Sequence, residues 1–228
     1  MDFVGIDKLS LLDYDEKLSC VLFAKACNFR CPFCHNGLTV LECEEYIPFD
    51  YILEFLKSRR GKLDAVVITG GEPTLMDDIV EKIESIKSMG YLIKLDTNGT
   101  RPEIIKELLK RNLLDYIAMD IKNSLPCYPI TCGVKNINED NLKESIKLIQ
   151  NSGIDYEFRT TLVSEFHTLC SIKEMGELVK GSKKLYLQQF VDREGVIQKG
   201  LHPVDEDLAN QFKEILSNYV EEVSLRGY

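Results

Sequence analysis

The sequence lacks the features that mark membrane and secreted proteins. No stretch of the 228 residues approaches the run of about 18 apolar residues that a transmembrane helix needs. The first residues, Met1 to Asp7, carry neither the basic region nor the apolar core of a secretory signal peptide. We therefore expect a cytoplasmic protein, in which thiols stay reduced.

Positive charge and flexible linkers are also scarce. The chain has 28 Lys and Arg residues against 37 Asp and Glu residues, which gives a formal net charge of −9. Because an acidic surface repels phosphate backbones and anionic lipids, we expect neither a nucleic acid nor a membrane as a partner. No Gly-, Ser- or Pro-rich linker divides the chain, so residues 1–228 are predicted to form a single domain.

Cysteine, by contrast, is abundant, since the chain has eight. In a reducing compartment cysteines serve metal binding or catalysis more often than disulfides. Cys27, Cys31 and Cys34 lie in one short loop, 27–36, where their thiolates can converge on a soft metal centre. A 4Fe–4S cluster held by three cysteines leaves one iron free for an outside ligand. Zinc, a redox dithiol and haem attachment, for which Cys31 to His35 matches the C-x-x-C-H pattern, are the alternatives that the spacing leaves open.

Six short, β-rich runs alternate with amphipathic helical patterns along the chain. The runs are almost continuously apolar, as expected of strands that are buried on both faces of a sheet. Such alternation predicts an α/β fold with a parallel sheet and right-handed crossovers. In the helix that follows the fifth run, Ser171 and Glu174 predict a capping box. The predicted strands cover residues 19–24, 65–69, 91–95, 116–119, 155–160 and 185–188.

Polar side chains follow all six predicted strands. In parallel α/β folds, ligands bind where the carboxyl ends of the strands meet. The cysteine loop follows the first strand, and the paired glycines after the second strand allow a close approach of the backbone. We therefore expect the functional site at this edge of the sheet, next to the cysteine loop. The other candidate site residues are Gly70, Gly71, Glu72, Pro73, Asp96, Asn98, Asp120, Lys122, Arg159, Gln188 and Gln189.

Several of these segments together resemble a known superfamily. The spacing Cys27-x3-Cys31-x2-Cys34, followed by Gly70-Gly71-Glu72-Pro73, resembles the radical S-adenosylmethionine superfamily. The segments 34–36, 95–99 and 120–122 are similar to those of its glycyl-radical-enzyme activases. Within that group, the segments 27–36, 67–75 and 187–190 most resemble the activating proteins of anaerobic ribonucleoside-triphosphate reductase.

The resemblance implies a fold and a reaction. The fold is a partial (β/α)6 barrel whose core spans about residues 18–220. One 4Fe–4S cluster would lie on Cys27, Cys31 and Cys34, with its free iron chelated by S-adenosylmethionine. An electron from a reduced flavodoxin or ferredoxin would cleave S-adenosylmethionine, and the 5′-deoxyadenosyl radical would take a hydrogen atom from a glycine of the partner enzyme. Because hydrogen-atom transfer needs no general base, no catalytic acid–base pair is expected.

The resemblance also implies roles for the residues at the strand ends. Gly70, Gly71 and Glu72, which Pro73 follows, would hold the methionyl ammonium, and Phe33 with His35 would flank the adenine. Ribose or carboxylate groups would be held by Asp120, Lys122 and Arg159. The remaining residues of the set are Asp96, which would help to place a monovalent cation, Asn98 beside it, and Gln188 and Gln189, which would line the site at the last strand.

The chain departs from many activases of this broad group in one respect. Those proteins insert a ferredoxin-like segment with two further clusters after the cysteine motif, whereas Cys43 is the single cysteine in that interval here. We therefore predict one cluster. Cys127 and Cys132 are expected to be incidental loop thiols, with metal binding or a labile pair as alternatives. His167 and His202 are expected in solvated loops.

Three other functions are compatible with the same residues. The first is activation of another glycyl radical enzyme, of the pyruvate formate-lyase type. The second is a small-molecule radical reaction, as in the equally short 7-carboxy-7-deazaguanine synthases. The third is a non-enzymatic metal-binding or electron-transfer protein, which would leave the polar groups at the other five strand ends without a role.

Overall fold

A single eight-stranded sheet runs through the computed structural model, which describes residues 3–37 and 45–228. The strands follow one another in the sheet in the order of the chain. They are β1 (Phe3–Ser10), β2 (Ser19–Ala24), β3 (Ala65–Gly70), β4 (Leu92–Thr97), β5 (Tyr116–Asp120), β6 (Asp155–Leu162), β7 (Lys184–Gln189) and β8 (Glu222–Arg226).

All neighbouring strands from β2 to β8 pair in parallel, and β1 pairs with β2 in the antiparallel direction. Because β1 and β8 form the two edges, the sheet is an open, incomplete barrel. The predicted α/β fold with a partial parallel barrel is therefore confirmed. The six predicted strands correspond to β2–β7, and the two edge strands add to them.

Helices cover the outside of the sheet, as right-handed crossovers between parallel strands require. Their starts follow local signals: Pro48 precedes the first helix, and Pro102 occupies the first turn of the third, where the missing N–H costs nothing. The helices are α1 (Phe49–Arg59), α2 (Ile79–Lys87), α3 (Pro102–Lys110), α4 (Tyr128–Thr131), α5 (Glu139–Gln150), α6 (Leu169–Leu178) and α7 (Glu206–Leu216).

The start of α6 corrects the predicted capping box. The helix begins at Leu169, one turn earlier than a box of Ser171 with Glu174 requires. Thr168 is extended and caps the helix, since its hydroxyl accepts the Ser171 N–H (3.2 Å) while Ser171 Oγ accepts the Thr168 N–H (3.1 Å). The threonine hydroxyl thus satisfies a free N–H of the first turn, and Ser171 takes the third position of the box.

The core lies between the sheet and the helices and extends into the barrel. In β3, Val66, Val67 and Ile68 are all fully buried, which matches the prediction of strands covered on both faces. Every cysteine in the described ranges is a free thiol. Within those ranges, no helix combines the length and the apolar character needed to cross a bilayer.

Candidate functional site

The carboxyl ends of the strands surround a cavity of about 390 Å³, a size typical of cofactor pockets. Most of the predicted site residues line it, and they come from the cysteine loop and from β3 to β7. The predicted residues in its wall are Cys27, Cys31, Cys34, Phe33, His35, Gly70, Gly71, Asp96, Asn98, Asp120, Lys122, Arg159 and Gln188. Among the described residues, Glu72, Pro73 and Gln189 are the predicted ones that lie outside this wall.

The cysteine loop is held by hydrogen bonds within itself. The Cys34 N–H donates to the Cys31 carbonyl (3.0 Å), which closes a turn between two of the thiols. The Arg30 guanidinium donates to the carbonyls of Cys27 (2.6 Å) and Phe29 (2.7 Å). The loop therefore presents its three thiols to the same cavity from a fixed backbone.

The three thiols differ in acidity. Burial raises the pKa of Cys27 to about 12 and also raises the pKa of Cys34. A hydrogen bond with the buried Cys132 thiol lowers the pKa of Cys31. Because a cysteine binds metal as the thiolate, a metal centre here would displace protons from Cys27 and Cys34.

Gly70 and Gly71 hold the start of the cysteine loop against β3. The Gly71 N–H donates to the Ala24 carbonyl (2.8 Å), and the Glu72 N–H donates to the Ala26 carbonyl (2.6 Å). A Cβ atom on Gly71 would lie 2.1 Å from the Ala26 carbonyl oxygen, which is backbone and cannot move aside cheaply. The close approach thus brings two backbone segments together beside the cavity.

Glu72 links the end of β3 to the end of β4. Its buried carboxylate accepts hydrogen bonds from the Asn98 N–H (2.6 Å), the Thr97 hydroxyl (2.8 Å), and the Thr74 N–H (3.1 Å) and hydroxyl (2.5 Å). Burial raises the pKa of Glu72, and these four bonds oppose that effect. The Asn98 amide in turn donates to Asn28 Oδ1 (2.8 Å) and faces Cys27 Sγ at 3.9 Å. Glu72 therefore positions a side chain that touches the cysteine loop.

Arg159 lies at the centre of a charged cluster on β4, β5 and β6. Its guanidinium donates to Asp96 Oδ2 (3.1 Å) and to Asp120 Oδ1 (3.0 Å), and lies 3.9 Å from Glu157. Asp96 Oδ1 is buried and has no hydrogen bond within the described part of the chain, with Lys94 Nζ at 3.9 Å. The monovalent cation expected near Asp96 stays a prediction.

Asp120 pairs with Arg159 through one carboxylate oxygen and with a second cation, Lys122, through the other. Lys122 Nζ donates to Asp120 Oδ2 at 2.8 Å. Burial alone would raise the pKa of Asp120, but the ion pairs with Lys122 and Arg159 outweigh it and lower that pKa to about 2. Burial alone would lower the pKa of Lys122, but the interaction with the Asp120 carboxylate helps to raise it. All three groups are therefore charged at neutral pH, and the two cations face the cavity beside the thiols.

Two aromatic rings of the cysteine loop form another wall of the cavity. The Phe33 ring is almost fully buried against Phe166 (6.0 Å between centroids), with Lys122 Nζ 5.9 Å from its centre. The His35 ring stacks on Phe190 at 5.8 Å, and its Nε2 atom lies 2.8 Å from the Val191 carbonyl. Both residues line the cavity.

One segment that lines the cavity was not predicted from the sequence. Asp13, in the loop between β1 and β2, lines the cavity, and its carbonyl accepts a hydrogen bond from Lys94 Nζ (2.6 Å). The neighbouring Tyr14 ring packs on Tyr116 at 5.5 Å. Other lining residues that were not predicted are Phe23, Phe29, Asn36, Thr69, Thr97 and Thr161; the position of Thr69, Thr97 and Thr161 near strand ends was the available signal.

His167 is buried, so the expectation of a solvated loop histidine is wrong. Its Nδ1 accepts the Val163 N–H (3.0 Å) and its Nε2 lies 3.0 Å from the Lys122 carbonyl. The neutral tautomer with a proton on Nε2 satisfies both contacts. The ring therefore holds the backbone of Lys122 in place. His202 is exposed, as expected, and contacts Glu165.

Burial of His167 predicts a loss of stability in mild acid. Burial lowers the pKa of His167 below its usual 6.5, although hydrogen bonds to Lys122 and Val163 oppose the shift. The unfolded chain then binds a proton more readily than the folded chain as the pH falls below about 6.5, so folding stability falls by up to about 1.4 kcal/mol per pH unit for this group.

We expect His167→Gln to flatten the slope of unfolding free energy against pH between pH 7 and 5, measured by urea denaturation of the cluster-free protein. His202→Gln is the matched control and should retain the slope of the wild type. Equal slopes for wild type and His167→Gln would contradict the assignment.

Comparisons with known proteins extend these observations. The family model described as "Radical SAM superfamily" matches residues 21–179. A protein of Methanocaldococcus jannaschii, provisionally named a glycyl-radical enzyme activating enzyme, is 33% identical over 97% of this chain and 94% of its own length. A domain of a pyruvate-formate lyase-activating enzyme from Bacteroides vulgatus has a TM-score of 0.58 at 20% identity, over 72% of this chain and 99% of that one. Streptococcus suis SuiB, solved with S-adenosylmethionine, has a TM-score of 0.70 at 14% identity, over 91% of this chain and 50% of SuiB.

Proposed function

The chain belongs to the radical SAM superfamily, and we propose that it activates a glycyl radical enzyme by reductive cleavage of S-adenosylmethionine. A relative named for this activity matches almost the full length of both chains. The observation that carries the proposal is the meeting of three loop thiols with the cations Lys122 and Arg159 around a single cavity.

The donor set fits the 4Fe–4S cluster that this superfamily uses. Cys27, Cys31 and Cys34 supply three thiolates in one loop, and three cysteines leave one iron open to an outside ligand. When bound, the cluster and S-adenosylmethionine would supply an electron transfer that breaks the sulfonium bond and creates a carbon-centred radical. The predicted single cluster stays a prediction, and Cys43 lies outside the described residues.

The cavity wall also fits the charged ends of S-adenosylmethionine. Lys122 and Arg159 remain charged beside the thiols and would bind its carboxylate, while the Gly70-Gly71 backbone would approach its ammonium. Phe33 and His35 would contact the adenine. In our proposal Glu72 acts through Asn98 rather than on the ammonium, because its carboxylate already accepts four hydrogen bonds.

The partner that we propose is an anaerobic ribonucleoside-triphosphate reductase, with a reduced flavodoxin or ferredoxin as the electron donor. The segments 27–36, 67–75 and 187–190 support this choice of partner. The cytoplasmic location expected from the sequence is part of the same proposal.

The test is the appearance of a glycyl radical on the reductase. Reconstituted, reduced protein is mixed anaerobically with S-adenosylmethionine and a candidate reductase, and the EPR spectrum is recorded. We expect the doublet of a glycyl radical, and none when the radical glycine of the reductase is replaced by alanine. If 5′-deoxyadenosine forms but no candidate glycyl radical enzyme acquires a radical, the activase function is wrong and a small-molecule substrate is favoured.

A further inference from the structure

A fourth thiol lies against the cysteine loop. Cys132 follows α4, in the loop after β5, where the sequence led us to expect an incidental thiol. Instead its side chain is fully buried in the core, and the thiols of Cys132 and Cys31 are close enough that each shifts the pKa of the other. Cys127, in the same loop, is only partly buried.

The backbone holds this contact in place. The Arg30 N–H donates to the Cys132 carbonyl at 2.8 Å, directly before Cys31 in the chain. The next residue, Gly133, has a φ of 63°, and a Cβ atom there would lie 2.2 Å from the Arg30 carbonyl oxygen. The Cys132 N–H donates to the Tyr128 carbonyl at 2.8 Å, which ties the other side of the residue to α4. The two loops are therefore fastened together next to the two sulfur atoms.

The position of Cys132 favours a role as a hydrogen-bond donor over a role as a fourth cysteine ligand of the cluster. Cys27, Cys31 and Cys34 line the cavity, whereas Cys132, among the residues described, lies outside its wall. The iron that binds S-adenosylmethionine would have to face the cavity. The Cys132 thiol is therefore badly placed to be a ligand of that iron. A metal-bound Cys31 sulfur is a thiolate and can only accept, which leaves Cys132 as the donor.

We propose that Cys132 donates an S–H hydrogen bond to the cluster-bound sulfur of Cys31 and thereby raises the reduction potential of the cluster. Reduction adds negative charge that spreads onto the thiolate sulfurs, so a donor stabilises the reduced form more than the oxidised form. The sulfur of Cys27 has donors too, since the Phe29 N–H lies at 3.4 Å and the Asn98 amide at 3.9 Å. This inference rests on the cluster of the proposed function and is independent of which molecule receives the radical.

The test is the midpoint potential of the cluster, measured by EPR-monitored redox titration of the reconstituted full chain. Cys132→Ala removes the donor, and Cys132→Ser keeps a hydroxyl donor in its place. We expect the ratio of reduced to oxidised cluster at a fixed potential to fall about fivefold to tenfold in Cys132→Ala, where tenfold corresponds to about 59 mV. The midpoint potential of Cys132→Ser should lie closer to that of the wild type. The controls are Cys170→Ala, which alters an exposed thiol on α6, and Cys127→Ala. Neither should shift the midpoint potential.

Iron and sulfide contents decide how each outcome is interpreted. A cluster that is retained in Cys132→Ala with an unchanged potential would overturn the proposal. Loss of the cluster from both Cys132 variants, with retention in Cys170→Ala, would also overturn it, because Cys132 would then be a ligand. Loss from Cys132→Ala alone would support it, since serine keeps the hydrogen bond but not the thiolate. A shifted potential without a glycyl radical on any partner would leave this inference standing and count against the activase function only.

Discussion

Cys34→Ala is expected to lower the release of 5′-deoxyadenosine from S-adenosylmethionine by at least about a hundredfold. Changing a residue that merely supports a metal ligand already costs about 10- to 100-fold, so removing a ligand should cost more. Cys34 shares its turn with Cys31 and lines the same cavity, and Cys27 is the one further thiol of the described chain in that wall. The measurement uses anaerobically reconstituted, reduced protein and quantifies 5′-deoxyadenosine chromatographically.

The matched control for this prediction is Cys170→Ala. Cys170 is exposed on α6 and contacts Glu174 (3.8 Å), so its loss should leave iron content and cleavage as in the wild type. If Cys34→Ala kept both its iron and its cleavage, the cluster could not depend on the three loop thiols. A silent wild type that contains iron and sulfide should be assayed again with a candidate reductase present.

The strands and the placement of the site could be predicted from the sequence because each depends on local patterns. β3 is a run of fully buried residues, and such runs have few alternatives in an α/β chain. Since parallel strands end at a common edge, Asp120 and Arg159 could be expected together although they are distant in sequence. In the structure they form a hydrogen bond of 3.0 Å.

Strand β1 and several contacts of the site could not be predicted, because they depend on interactions that leave no local pattern in the sequence. β1 is buried at Phe3 and Ser10 but partly or fully exposed between them, so its sequence does not alternate clearly. Asp13 contacts Lys94 through its backbone carbonyl, which every residue type possesses. The partners of Glu72 on β4 and the contact of Cys132 with Cys31 both join distant segments. Only the packing of the barrel brings these groups together.

Arg159→Met is expected to lower the free energy of unfolding by about 3 kcal/mol at neutral pH, because it removes the central cation of a largely buried cluster of carboxylates. Asp96 and Asp120 each accept a hydrogen bond from this guanidinium, and the Glu157 carboxylate, which is 2% exposed, lies 3.9 Å away. The measurement is urea denaturation of the cluster-free protein. The deficit relative to the wild type should shrink as the pH falls, since protonation removes the uncompensated charges.

Arg111→Met provides a matched control for this last prediction. Arg111 also pairs with two carboxylates, Glu107 (2.8 Å) and Glu84 (3.1 Å), but on the exposed surface. Because water and salt screen exposed ion pairs, this variant should unfold almost like the wild type. Combining Arg159→Met with Asp96→Asn should recover part of the loss, because Asp96 has no other cation within hydrogen-bonding distance in the described part of the chain (Lys94 Nζ lies at 3.9 Å). Equal small losses for the two arginine variants would mean that water screens the cluster, and Arg159 would then be a ligand-binding residue without a structural role.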